Sequence, residues 1–465
     1  MVCARYPYDR QISDSGRSLS LAAPVMTNQM TRLRLTLRSV PLGLIGICTL
    51  VQFAAGIILQ SVSFAGPYLQ QEWQLSETML GMLFASVLCG LMAGYMLIAH
   101  MADRIGHRRM LCLALPLAGL ATIAASMMTG PIGFMLARFV SGAALGACIP
   151  SSIALVTQWS PPRFKAPSVL LIYCGFSLGF AAVGFCAGWL MEAQGWRFLL
   201  QSAGLAALPV AALVHRIRPD LQREASRHSS PYQPERAPAA NLLRPEIRFG
   251  TMLFWLGFPL NLAVFYAFQS WLPVLLLERG FAISTIASAA GTFAIGATLA
   301  AFIIAYLMER LGRFRALALI YALGAVPLAI IAFVPRGDAL ALHQASLLAG
   351  ICIGGGQKGI TAAAATFYND TVRAAGMGWA MGIGRIGAFC GPVLIGLVHD
   401  FGASLEDPAK PALLAIALPL PVMTYLMILM DRRFGNGRIS AAQAQRDGAG
   451  ENSGHEPAKN SQERT

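Results

Sequence analysis

Apolar stretches, each long enough for about 20 residues of helix, run from residue 42 to residue 430 with short polar segments between them. A hydrocarbon layer of ~30 Å takes ~20 residues of α-helix, so each stretch can cross a bilayer. The pattern predicts spans near 42–66, 78–99, 110–129, 132–157, 167–191, 197–214, 249–277, 284–307, 316–334, 342–367, 376–399 and 412–430. Long alternating strands are absent, which argues against a β-barrel. The predicted class is an all-α integral membrane protein. One long polar insert, 215–248, divides the spans six and six. Its Pro, Ser and Arg content predicts a mobile linker. The expected layout is a polar tail 1–41, a six-helix bundle 42–214, the linker 215–248, a second bundle 249–430 and a disordered tail 431–465.

Composition agrees. The chain is 56% hydrophobic and 12% charged, against ~25% charged in soluble domains. The formal charge of +13 does not point to nucleic acid, because the basic residues recur between apolar stretches instead of forming one patch. Of the 35 Lys and Arg, 28 fall on the side holding both termini. Four, Arg197, Arg279, Arg336 and Lys410, fall on the other, and Arg138, Lys358 and Arg385 fall inside spans. This bias predicts that both termini and the linker are cytoplasmic, in a bacterial-type inner membrane. Residues 1–38 are polar and Arg-rich and do not read as a cleavable signal. The nine cysteines lack disulfide or metal spacing. No Walker loop, HExxH or Ser/His/Asp arrangement stands in its required context, so neither an enzyme nor a cofactor or metal is expected.

The halves repeat. Met101-Ala102-Asp103-Arg104-Ile105-Gly106-His107-Arg108-Arg109 follows span 2. Met308-Glu309-Arg310-Leu311-Gly312-Arg313-Phe314-Arg315 follows span 8, at an offset of 206 residues from Asp103 to Glu309. Two parallel halves with a cavity between them suit a rocking transporter. The glycines permit tight turns, and the arginines suit the cytoplasmic interface. Asp103, Arg104, Gly106, Arg108 and Arg109, with Glu309, Arg310, Gly312 and Arg313, are expected to govern opening and closing there.

The first of these loops resembles the signature loop of the major facilitator superfamily, with Ala99 in place of the usual leading Gly. Further segments resemble the aromatic acid:proton symporters within it. They are Glu72-Trp73, Ser270-Trp271-Leu272-Pro273, Gly354-Gly355-Gly356-Gln357, Phe367-Tyr368 and Gly382-Ile383-Gly384-Arg385-Ile386-Gly387. The resemblance implies twelve helices in two six-helix bundles. It also implies rocker-switch uptake of a benzoate-like or hydroxybenzoate-like anion with protons. One departure concerns span 1, where members of that family carry two aspartates one turn apart. Aligned on Pro67 and Glu72-Trp73, those positions are Ala55 and Ile58. An exporter of a related metabolite and a non-transporting sensor are the alternatives. Expected partners are the organic anion, protons and lipid, and the chain is expected to work as a monomer.

A charge near the bilayer centre costs at least ~2.5–3.5 kcal/mol, so it must be paired or face a wet cavity. Arg138 reads as a bidentate clamp for a substrate carboxylate, or as a cation that snorkels or pairs with backbone carbonyls. Arg385 reads as an anion ligand, a gate stabiliser or a carbonyl partner. Lys358, beside Gln357, can supply positive potential, exchange a proton, or serve carbonyls freed by the three glycines before it. In span 7, Asn261 and Gln269 lie roughly on one face and Tyr266 can stack on an aromatic ring, while Trp271 reads as part of an interfacial belt. Gln60 and Tyr173 are further cavity candidates. Gly175, Gly179, Gly387 and Gly391 read as close-packing positions, not ligand loops.

Overall fold

A computed structural model describes residues 42–435, apart from 162–163, 218–241, 336, 370–371 and 403. The predicted tail 1–41, most of the linker and residues 436–465 lie outside the described residues, and so does the side chain of Asp103.

The first helices are α1 (Leu42–Trp73), α2 (Glu77–Ile98, continued by Ala99–Ile105), α3 (His107–Ser126) and α4 (Pro131–Trp159). A continuous 50-residue segment, Lys165–Val214, follows. At ~1.5 Å per residue it would reach about 75 Å, over twice the ~30 Å hydrocarbon layer. Gly195 inside it has φ 78° and ψ 178°, a conformation no helix contains. It is the turn between two spans, α5 (165–194) and α6 (196–214). The remainder are α7 (Arg248–Glu278), α8 (Ile283–Leu311), α9 (Arg313–Phe333), α10 (Ala339–Phe367), α11 (Arg373–Gly402) and α12 (Ala409–Phe434). The described residues thus form twelve spans and no strand.

Two helix ends run past the apolar pattern because side chains hold them. The last turn of α1 carries Glu72, whose carboxylate accepts from the Trp196 indole at 3.0 Å and pairs with Arg197 at 2.5 Å. The last turn of α12 carries Asp431, paired with Arg315 of α9 at 2.8 Å.

The helices form two six-helix bundles. In the first, α5 packs on α1, α6 on α3, and α4 on α2 and α3. In the second, α11 packs on α7, α10 on α8, and α12 on α9. The sequence repeat is a structural one. Gly106 turns from α2 into α3 at φ 95°, and Gly312 turns from α8 into α9 at φ 89°. Gly179 of α5 lies against the Phe53 carbonyl of α1, and Gly387 of α11 lies against the Pro259 carbonyl of α7. A Cβ at either glycine would collide with that oxygen, so the packing reading of these glycines holds. The bundles meet where α2 faces α11, α5 faces α8 and α1 faces α7.

Candidate functional site

The interface between the bundles has three levels. At the face opposite the Gly106 and Gly312 turns, the bundles are latched. Asp400, near the end of α11, accepts from the backbone N–H groups of Glu77 (3.1 Å) and Thr78 (2.9 Å) and from the Thr78 hydroxyl. These amides begin α2, where a carboxylate also meets the positive end of the helix dipole. His399 pairs with Glu278 of α7 at 2.8 Å and faces Glu77 at 3.7 Å. Trp271 is fully buried here, its indole donating to the Pro392 carbonyl at 2.8 Å and its ring against Phe84 and His399. The belt reading of Trp271 is therefore corrected. Its N–H finds an acceptor inside the protein, so the ring has no need of the wet membrane surface.

Below the latch, Gln269 of α7 donates to Gln60 of α1 at 2.6 Å, joining the bundles. The cavity beside this bond, lined by Ser63, Phe84, Phe180 and Tyr266 among others, holds about 20 Å³. That is room for about one water, so passage to the latched face is shut.

Near the middle of α11, Arg385 stands over the Tyr95 ring of α2, 4.5 Å from its centroid. Tyr266 of α7 and Tyr173 of α5 lie close enough to interact with its charge. Four helices from both bundles thus converge on one guanidinium. Tyr95 is carried on a π-turn, Gly94–Ile98, and a second π-turn, Gly350–Gly354, precedes Lys358 in α10. Such turns re-aim side chains and recur at functional sites. Lys358 donates to the Ala297 carbonyl of α8 at 2.5 Å and lies near Cys174 of α5. Among the described residues, no carboxylate lies within ion-pair distance of Arg138, Lys358 or Arg385.

At the face of the two glycine turns, Arg108 and Arg313 each hold a carbonyl of their own bundle. Arg108 donates to the His215 carbonyl at 2.8 Å, and Arg313 to the Thr366 carbonyl at 2.8 Å. Arg310 lies over the Tyr306 ring. Arg104, Arg109 and Glu309 make no ion pair with another described residue.

The sequence profile of the Major Facilitator Superfamily matches residues 48–392, and overlapping it 278–458. The chain belongs to the major facilitator superfamily. It is 29% identical to a gallate transporter of Pseudomonas putida over 86% of this chain and 92% of that one. It is 31% identical to a 3-(3-hydroxy-phenyl)propionate transporter of Escherichia coli (strain K12), over 84% of this chain and 94% of that one. A solved bacterial homolog of the human lysosomal transporter Spinster aligns with TM-score 0.70 at 17% identity, covering 84% of this chain and 96% of that one, which shows the fold. As a major facilitator, the chain is a secondary transporter and not an enzyme.

Not every predicted site residue reaches the central group of this facilitator. Arg385, Tyr266 and Tyr173 meet there, and Gln60 and Gln269 bond just above. Arg138 does not line the cavity. It is fully buried inside the first bundle, donating to the Ile58 carbonyl (3.0 Å) and the Thr122 hydroxyl (3.4 Å), which matches its carbonyl-pairing alternative. Asn261 turns into the second bundle and accepts from Tyr321 at 3.1 Å. The Gln357 side chain is half-buried and makes no hydrogen bond with another described residue. Sequence reasoning missed Tyr95, because one tyrosine in an aliphatic run carries no signal until the π-turn is seen. It also missed the latch, because Glu77, Glu278, His399 and Asp400 read as ordinary charges at span ends.

Proposed function

We propose that this transporter imports a small hydroxylated aromatic carboxylate with protons, by alternating access of its two bundles. The observation that carries the reading is Arg385. It is a cation near mid-span, between the bundles, with no carboxylate partner among the described residues and with tyrosines from three other helices around it. A planar guanidinium takes a carboxylate by two parallel bonds, and tyrosine rings pack a ring while their hydroxyls meet phenolic groups. Lys358 adds positive potential. The curated relatives, named for hydroxylated aromatic acids, support this chemistry.

The 28-to-4 bias of Lys and Arg supports placing both termini, the 215–248 linker and the glycine-turn loops in the cytoplasm of an inner membrane. On that orientation the latched face is external and the structure is the inward-facing state. The ranges 42–214 and 249–430 are then the two rocking units, complete in one chain, so that a monomer suffices. Asp103 and Glu309, with their arginines, act when the cytoplasmic side closes.

The test is uptake and binding in proteoliposomes. 4-Hydroxybenzoate and gallate should accumulate when the lumen is alkaline, and their neutral amides should not bind. Arg385→Lys should weaken acid binding by at least about tenfold, since an ammonium cannot reproduce the two-donor fork. Amides that bind as well as the acids, or a silent Arg385→Lys, would overturn the reading. Accumulation only in inverted vesicles would make the chain an exporter.

A further inference from the structure

We propose that Glu77 and His399, with Glu278 orienting the imidazole, form a binding site for zinc, or a similar late first-row divalent cation, that staples the two bundles together at the latched face. The three residues come from α2, α7 and α11, so one comes from the first bundle and two from the second. One ligand atom from each lies within 4.8 Å of the others.

The triad differs from an ordinary ion-paired cluster in its unused valences. His399 is 97% buried by its 3% exposure, yet its Nδ1 has no hydrogen-bond partner. The Glu77 oxygen Oε2 is also buried without a partner. Nδ1 faces Glu77 Oε1 at 3.7 Å, too far for a hydrogen bond. Two metal bonds of ~2.0–2.2 Å meeting at a tetrahedral angle place their donors about 3.4 Å apart. The gap therefore suits an ion better than it suits a proton. The other ring nitrogen is held by Glu278 at 2.8 Å, the kind of carboxylate contact that orients a metal-binding histidine.

Neighbouring groups leave the site negative and accessible. Arg279 is the nearest fixed cation, and its guanidinium is spent on the Ile331 and Val334 carbonyls and on Asp407 at 3.4 Å. Lys410 also pairs with Asp407. Gln70 donates to Glu77, and Asp400 is occupied in capping α2. A cavity of about 260 Å³, lined by the triad with Arg279, Glu406 and Asp407, opens beside it. It has room for waters to complete a coordination shell. One imidazole nitrogen with carboxylates selects zinc-like ions, whereas magnesium and calcium take all-oxygen sets.

The ion binds only where the two bundles touch at this face, so it favours that state and slows cycling. The effect on uptake rests on the proposed orientation, with the latched face external, and not on the identity of the substrate, while zinc binding itself rests on the latch geometry alone. Tag-free purified protein titrated with zinc chloride should take up one ion per chain saturably and melt at a higher temperature, while magnesium chloride does neither. External zinc should slow uptake by about tenfold, within the ~5–150-fold range of coupling between sites. His399→Gln should abolish the bound ion and the melting shift, Glu278→Gln should weaken zinc binding by about 10–100-fold, and residual uptake of the His399 variant should no longer respond to zinc. Absence of saturable zinc binding to the wild type, or binding unchanged in both variants, would overturn the proposal and leave the triad as an ion-paired latch only.

Discussion

Asp400 ties the bundles through three hydrogen bonds, and its loss has a calculable consequence. Its carboxylate accepts from two backbone amides of α2 and from the Thr78 hydroxyl. Hydrogen bonds to a charged group are each worth about 1.5–3 kcal/mol net when buried. This carboxylate lies at the rim, where water can replace it, so about 2 kcal/mol for the whole cap is a fair magnitude. All of it belongs to the latched state, because the acceptor is on one bundle and the donors on the other. Asp400→Ala should therefore shift the equilibrium toward opening at this face by about 30-fold. The assay is labelling of a cysteine introduced at Ser63, which lines the closed cavity beneath the latch, by a membrane-impermeant thiol reagent. The wild-type background should label slowly, and Asp400→Ala about 30-fold faster, with folded yield and monodispersity unchanged. If the labelling rate does not move, the cap is not specific to one state and the latch assignment fails.

Other expectations follow from single contacts. A charge about 10 Å from a bound carboxylate contributes about 1.7 kcal/mol at an effective dielectric near 20, so Lys358→Gln should weaken binding of acids by about 15- to 20-fold in calorimetry and leave amides untouched. Gly106→Ala and Gly312→Ala each force an L-residue to a φ near 90°, at about 1–2 kcal/mol; each should lower the melting temperature, and the double variant should show the sum, because the two turns lie in separate bundles. Arg138→Lys should change substrate affinity less than Arg385→Lys does, because Arg138 faces the Ile58 carbonyl inside one bundle and not the space between bundles; equal losses in binding assays would return Arg138 to the substrate site.

The sequence carried the architecture because lipid permits few solutions. Backbone groups in hydrocarbon must bond within their own helix, so an apolar run of ~20 residues is a span almost regardless of detail. The repeat was legible for a related reason: Gly106 and Gly312 are the residues that can take their turns, so they stand at the same offset in both halves. Helix ends were less legible. The polar last turns of α1 and α12 stay helical, where Arg197 and Arg315 meet them from neighbouring helices. The site divides in the same way. Arg385 announces itself as a charge in an apolar run. Which way a charge points does not show in the run, however, and Arg138 looks identical in pattern yet turns to a carbonyl. Trp271 misleads in a like manner, because a tryptophan near a span end suits a membrane surface until a buried acceptor on another helix is seen.

The charges near mid-span also bear on how a proton and an anion can travel together. Carbonyl dipoles at Ile58 and Ala297, and tyrosine hydroxyls around Arg385, spread the positive charge of the two arginines, and of Lys358 when it is protonated, without cancelling it. The resting interior is thus electropositive, which favours an anion and opposes a second cation. The usual fixed acid in α1 is absent, since neither Ala55 nor Ile58 can hold a proton. In the proposed mechanism this leaves Lys358 and the substrate's own carboxyl as mid-span groups that can. With lysine as the carrier, an anion bound nearby and a proton on the amine stabilise each other, and linkage makes the help mutual: each ligand binds better when the other is present. That reciprocity is what symport requires of its two ligands. It places a test on the wild type before any on variants. Affinity for the acid should rise as pH falls through the range where the free substrate is already ionised at its carboxyl, because an electropositive site keeps the bound carboxyl ionised there too and the proton then goes to a protein group. The same rise should vanish in Lys358→Gln while weaker binding persists. A rise that survives the substitution assigns the proton to another group, and affinity flat with pH in the wild type removes lysine from the coupling altogether.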